Sequence, residues 1–300
     1  MKIDVYIPLL LSLLLAALSP LVGRRVAPAL AARVLTVSAV FTAAATVWSL
    51  ALLAITLVGQ VPPVAADARE DGHRLPDPVP EAIAVAAILT LAGVALRLYR
   101  AVRAERVTRR TLRALCAGQP PDTELVVAAS PVPRAFAIPG SGGAPGRILV
   151  TSAMLSALEP AERRVLLAHE RAHLTHRHAL LSTAVALAAA ADPLLAPVHT
   201  TVTFLVERWA DERAADAVGD RGTTARALAR AALSAGRRAP ACALTFTDRA
   251  VTRRIAALQA GPPPHLWPLA ATTLALGALP ALGAADATGD LLRLLGHALV

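Results

Sequence analysis

The sequence predicts an α+β fold in a multi-pass membrane protein, with about four transmembrane helices and a cytoplasmic domain built from a small β-meander and a helix bundle. Three observations lead there. Hydrophobic residues make up 55% and charged residues only 17% of the 300-residue chain, an unusual balance for a water-soluble protein. Several apolar runs approach or exceed the roughly 20 residues a helix needs to cross the hydrocarbon core. Between Thr123 and Thr151 the pattern changes to short β-branched runs broken by Pro and Gly, and helix-forming stretches follow.

The first span is expected at Val5 to Val22, the second at Leu35 to Val58, the third at Ala82 to Leu96 with its flanks, and the fourth at Leu266 to Gly283. Lys2 before the first run also fits a cleaved signal peptide. Asp4, the Arg24-Arg25 pair after the run and the lack of an A-x-A site favour a retained anchor instead. Orientation follows from basic residues, which resist export. The loop from Gln60 to Glu81 balances Arg69 and Arg74 with Asp67, Glu70, Asp71 and Asp77, so it is expected outside. Arg97, Arg100, Arg103, Arg106, Arg109, Arg110 and Arg113 follow the third span, so Arg97 to Pro264 is expected in the cytoplasm and the N-terminus outside the plasma membrane. Tyr6, Tyr99 and Trp267 stand near span ends, as interfacial aromatics do. Residues 1–113 thus hold three spans and a basic juxtamembrane segment, 114–262 a cytoplasmic domain, 263–284 the fourth span and 285–300 a short external tail.

The net charge of +9 would point to nucleic acid in a soluble domain. Arginines placed directly after an apolar run instead flank a bilayer and meet anionic headgroups, so no direct nucleic-acid binding is expected. Cys116 and Cys242 lie far apart without CxxC spacing, so neither a disulfide framework nor a cysteine zinc knuckle is suggested, and two buried, reduced thiols are expected.

Within the cytoplasmic segment, ELVVAAS, PRAFAIPG and RILVTS read as three strands, the last two joined by a Gly-rich loop. Ser152 or Glu159-Pro160 supplies a helix start for Ala161 to His176. Later helices are expected at Pro197 to Val218, Thr223 to Gly236 and Thr247 to Ala260.

His169-Glu170-Arg171-Ala172-His173 is H-E-x-x-H on an expected helix. Residues i and i+4 share a face, so both imidazoles can hold one Zn2+ ion while Glu170 serves as general base. The metal lowers the pKa of water, and the carboxylate takes its proton and passes it to the leaving amine. A catalytic zinc site normally has three protein ligands and an open position. His176 and His178 are too near on the same helix to wrap round the metal, so Glu207 on a second helix is the expected third ligand. Asp211, one turn on, is placed to accept the outward N–H of a ligand histidine, whereas Glu212 sits off that face. His176 and His178 read as surface histidines at a helix end. Arg208 and Arg213 flank the ligand helix, but no oxyanion-stabilising donor is assigned.

Ala179 to Val198 is apolar enough for a further span, yet one crossing would part His173 from Glu207 and two crossings need about 40 residues. Asp192-Pro193 interrupts it too, so a buried or membrane-skimming helix is expected.

H-E-R-A-H followed by E-R-W-A-D, preceded by P-R-A-F-A-I-P-G and R-I-L-V-T-S, resembles the integral-membrane gluzincin zinc metallopeptidases. The arrangement of three spans, cytoplasmic protease and fourth span is most similar to the BlaR/MecR-type peptidases, related to the HtpX and CAAX prenyl-protease type. The resemblance implies a zincin-like zinc endopeptidase with one Zn2+ per chain held by His169, His173 and Glu207, and Glu170 as base. It implies a strand at Ala135, Phe136 and Ala137 whose edge pairs with extended substrate, a mode that reads backbone. Its partners would be a protein or peptide substrate, such as the cytoplasmic repressor that the antibiotic sensors act on, and the lipid bilayer. Those sensors carry a penicillin-binding domain after the last span, whereas Ala284 to Val300 is all that follows here, so no penicillin-binding sensor domain is expected. The function expected is regulatory proteolysis at the cytoplasmic membrane face. Rival readings are a quality-control or processing protease of the HtpX/CAAX type and a non-catalytic zinc-binding membrane sensor; the intact Glu170 argues against the last.

Overall fold

The computed structural model describes residues 7–58, 80–120, 122–140, 143–236, 241–261 and 266–279. The expected outer loop and the expected external tail fall almost wholly outside the described residues. Arg24 and Arg25 close the first apolar helix, α1 (Ile7–Arg25), and the chain enters α2 (Pro28–Val58) on a proline, which needs no N–H there. α3 (Glu81–Ala114) has 34 residues. At 1.5 Å per residue that is about 50 Å, well beyond a hydrocarbon core of about 30 Å, so the arginine-rich half continues as helix past the apolar half. Among the described residues these three helices are long and apolar enough to cross a membrane. Of the expected fourth span, the described part is a shorter apolar helix, Trp267–Leu279.

Three strands follow: β1 (Leu125–Ala128), β2 (Ala135–Ile138) and β3 (Arg147–Thr151). Their order is β1-β3-β2, with β1 parallel and β2 antiparallel to β3. This corrects the expected meander, which would pair β1 with β2. Pro131 and Pro133 leave the β1–β2 connection without two of its N–H donors, and the chain passes to the far side of β3 rather than folding back as a hairpin. The run Ile148, Leu149 and Val150 is buried on both faces, as a central strand must be. β2 is left as an edge strand.

The Thr151 hydroxyl caps α4 (Ser152–Ala157) by accepting the Met154 N–H. A capping box between Glu159 and Glu162, with Pro160 at the first turn, starts α5 (Pro160–Thr175). α6 (His178–Ala191) then rises to Asp192, a 3₁₀ turn reverses the chain, and α7 (Ala196–Val218) descends beside it. α8 (Arg221–Gly236) and α9 (Ala241–Ala260) complete the domain, and Trp267–Leu279 is α10.

The apolar run 179–198 is the hairpin of α6 and α7. Its Val185, Leu195 and Val198, with Leu205 further along α7, share one core with Leu15, Leu35 and Val94 of the three long helices. Asp192, 2% exposed at the hairpin tip, accepts the Ser12 and Thr46 hydroxyls and, through its other oxygen, the Leu194 N–H at 3.0 Å. A carboxylate therefore ties α1 and α2 to the helix that carries Glu207 on its lower half.

Candidate metal centre

α5 and α7 pack side by side, and their facing residues build the site. One turn of α5 separates His169 from His173, which brings their Nε2 atoms to 3.1 Å. Glu207 of α7 stands opposite, Oε2 at 3.6 Å from His169 Nε2 and Oε1 at 3.6 Å from His173 Nε2. All three donor atoms lie within 4.8 Å of one another. Glu170 is buried on the same helix beside β2, where the Ala137 backbone N–H donates to its carboxylate.

The far sides of both imidazoles are also held. His169 Nδ1 lies 3.1 Å from Asp211 Oδ1, and His173 Nδ1 lies 2.9 Å from His178 Nδ1. With Nδ1 engaged outward, each Nε2 is free to direct its lone pair at the common centre. His178 is not the surface residue expected at a helix end: it is 1% exposed and packs on the buried Trp209 at a centroid distance of 4.5 Å. His176 stacks on the same indole, which the Arg33 guanidinium of α2 covers at 4.5 Å. Burial and the neighbouring His173 and His176 push the His178 pKa down to about 3, which keeps its ring neutral; with His173 Nε2 turned to the common centre, His173 Nδ1–H donates to His178 Nδ1.

Arg254 of α9, unremarked by sequence reasoning, completes the cluster. It is buried at 12% side-chain exposure, forks onto Asp211 and reaches Glu207 Oε2 at 3.0 Å. No spacing flags it, because it lies 43 residues from Asp211 on another helix, directly after Arg253. The two arginines considered from sequence lie elsewhere: Arg213 is exposed and faces Asp216 at 3.8 Å, while Arg208 is buried but lines neither cavity at the site. Glu212 is taken by Arg221, at 2.6 Å.

Burial disfavours charge on every member, and partners decide each outcome. Against burial, the contacts of His169 with Asp211 and Glu207 push its pKa up to about 10. Burial and the charge on His169 push His173 down to about 4. Against burial, His169 and Arg254 hold the Glu207 carboxyl well below the usual range, and Arg254 and His169 do the same for Asp211. Burial raises Glu170. Glu207 and Asp211 are thus balanced by the proton that His169 holds and by Arg254, and a metal ion bound through His169 Nε2 would take the place of that proton.

The donor set fits zinc. With Zn–N distances of about 2.0–2.1 Å, neighbouring ligand atoms of a tetrahedral ion stand roughly 3.3 Å apart, close to the separations among the three residues. Two imidazoles and one carboxylate are also the ligand chemistry of catalytic zinc, which keeps a position open.

Two cavities meet at this centre, one of about 500 Å³ toward α8 and one of about 730 Å³ toward α3 and α6. Ala135, Phe136, His169, Glu170 and Glu207 line both, so they are halves of one groove running along the exposed edge of β2.

An H-E-x-x-H helix and a glutamate from a second helix are the ligand pattern of zinc-dependent hydrolases, and here they stand in a groove beside an edge strand. Residues 101–196 match the model of Peptidase family M48, a segment that contains both histidines and Glu170 and ends before Glu207. The match supports a zinc metallopeptidase of that family, and with the apolar helices it supports a membrane-associated one. No curated protein and no solved structure matches the chain.

Proposed function

We propose that this protein is a membrane-bound zinc endopeptidase that hydrolyses peptide bonds of a protein substrate at the cytoplasmic face of the plasma membrane, as regulatory or signalling proteolysis. The observation that carries the reading is the convergence of His169 Nε2, His173 Nε2 and the Glu207 carboxylate within 4.8 Å, with Glu170 beside them. These three residues would hold one zinc ion, and zinc would supply Lewis acidity at the scissile carbonyl and lower the pKa of water. Glu170 takes the proton from the attacking water and delivers it to the leaving amine. Its burial suits that task, since a carboxyl with a raised pKa returns a proton readily. Asp211 and His178 fix the imidazole tautomers, and Arg254 keeps Asp211 and Glu207 ionised. The edge of β2, with Ala135, Phe136 and Ala137, aligns the substrate backbone.

Elemental mass spectrometry on the detergent-purified protein tests the ligand set. About one zinc per chain is expected, lost in both His169→Ala and Glu207→Ala. Glu170→Gln should keep its zinc and lose about a hundredfold or more in turnover of a peptide substrate. Zinc retained by Glu207→Ala would remove the third ligand, and full activity in Glu170→Gln would remove the base.

A further inference from the structure

The groove along β2 has unlike halves. Toward α8 its wall is mainly apolar, Met154, Leu158, Leu166, Leu228 and Ala231 among them, with Arg254 held by the metal centre and Arg134 exposed at the rim. Toward α3 and α6 its wall holds Arg109, Arg177 and Ser182, and the carboxylates it shares are those of the metal centre, Glu170 and Glu207. The two arginines are not equivalent. Arg109 is already engaged by Glu105 and by the Thr183 hydroxyl at 2.9 Å. Arg177 is exposed and, among the described residues, has no carboxylate partner.

The backbone at Arg177 adds an independent observation. It has φ 52°, and among the described residues it is the non-glycine with positive φ. It occupies the left-handed position just past the end of α5, where glycine fits without a steric penalty and is the usual choice. An arginine there holds a strained conformation at a cavity wall, between the end of α5 and the start of α6. Strain of this kind clusters at functional sites.

We infer that Arg177 is a specificity residue that receives a substrate carboxylate in the α3–α6 half of the groove. The inference rests on the endopeptidase reading. The carboxylate has two sources, the side chain of an acidic residue or the free C-terminus of the substrate, and guanidinium recognises both through the same paired N–H donors. Arg109, oriented by Glu105 and Thr183, contributes field at the same wall without a free fork.

The test uses the full-length, zinc-loaded protein in detergent with quenched-fluorescence peptides. A single Glu is walked along the positions on each side of the scissile bond, Gln at the same position is the reference, and each peptide is made with a free and an amidated C-terminus. Binding of the same peptides to Glu170→Gln protein is followed by anisotropy. At one position, or at the free C-terminus, the carboxylate form should have a kcat/KM about fivefold or more above its neutral partner. Arg177→Gly, which suits the backbone better than arginine, should bring that ratio to about one while leaving the neutral peptides within about twofold. Arg177→Lys should retain part of the preference. An effect confined to free C-termini assigns the site to the chain end, and an effect of internal Glu assigns it to acidic side chains. Peptides cleaved with no Glu or C-terminal preference, or with a preference untouched in Arg177→Gly, would overturn the subsite alone. Peptides neither bound nor cleaved would overturn the endopeptidase reading and the subsite with it.

Discussion

The guanidinium of Arg254 meets Asp211 face to face, Nε at 2.7 Å from Oδ2 and Nη2 at 2.6 Å from Oδ1, and so links α9 to the helix that carries Glu207. Asp211 spans the gap between that fork and His169 Nδ1. Removing the cation leaves the buried Asp211 and the partly exposed Glu207 with His169 as their close partner, and the Arg208 guanidinium acts on Asp211 only as a charge without a fork. Breaking a buried pair on one side costs about 3–5 kcal/mol. Arg254→Leu should therefore melt well below the native protein in detergent, and added zinc should recover part of the loss, because a dication between the donors supplies positive charge to the same carboxylates. Arg254→Lys should fall between, since a point charge replaces the fork. Equal melting of Arg254→Leu in zinc and in chelator would refute the electrostatic link.

Asp192 serves the opposite end of α7. Its two oxygens receive three donors, the Ser12 and Thr46 hydroxyls and the Leu194 N–H. Asp192→Ala takes its acceptor from the Leu194 N–H and leaves the Ser12 and Thr46 hydroxyls with the Pro8 and Thr42 carbonyls alone, so the loss should be about 1 kcal/mol. Asp192→Asn keeps one carbonyl oxygen and should cost less. Thermal unfolding of Asp192→Ala, Ser12→Ala with Thr46→Val, and the combination should give a coupling energy of about 0.5 kcal/mol or more, and simple additivity would mean that the hydroxyls find other partners.

What could be read from the sequence followed the range of each signal. A helix repeats within four residues, so α5 and the shared face of His169 and His173 are visible in five letters. α7 to α9 were legible for the same reason. Strand order depends on which distant strands meet, and the four- and five-residue strands carry no record of it beyond the doubly buried Ile148, Leu149 and Val150. Hydropathy reports burial without its cause, so the apolar run after His178 could not be assigned to lipid or protein; α2 and α3 cover part of it. His178 was misread because a polar residue at a helix end is usually solvated, and its burial comes from Trp209, which lies 31 positions away on another helix. Arg254 shows the same blindness to pairing across helices.

The contact between α2 and α10 depends on the absence of a side chain. A Cβ at Gly277 would stand 2.6 Å from Ser38 Cα, and the Ser38 hydroxyl donates to the Thr273 carbonyl one turn away at 3.1 Å. Gly277→Leu must push the helices apart, and overpacking of that kind costs about 1–3 kcal/mol. Gly93 of α3 is the control, since a Cβ there meets nothing within 4 Å. Gly93→Ala should hold or raise the melting temperature through helix propensity while Gly277→Leu lowers it. Comparable losses in both would mean that the α2–α10 crossing is looser than described.

Ala231 of α8 is half-buried, packs against the cluster of Ile148, Val150, Met154 and Leu158, and lines the apolar half of the groove. A cavity of about 500 Å³ walled by Met154, Leu158, Leu166 and Leu228 accommodates a large apolar side chain next to the scissile bond. Each methylene moved out of water there is worth about 0.8 kcal/mol, so a leucine in the substrate should be preferred to alanine by an order of magnitude or more, roughly 2 kcal/mol. Ala231→Leu fills part of that space from the enzyme side. The native preference for leucine over alanine should shrink to within about threefold, while kcat/KM for the alanine peptide stays close to native, because the metal-centre residues are not touched. Measuring both peptides with one enzyme preparation makes the ratio independent of active fraction. If leucine remained equally preferred in Ala231→Leu, the substrate side chain would lie outside this cavity, and the polarity of the groove would have to be assigned from its Arg177 half alone.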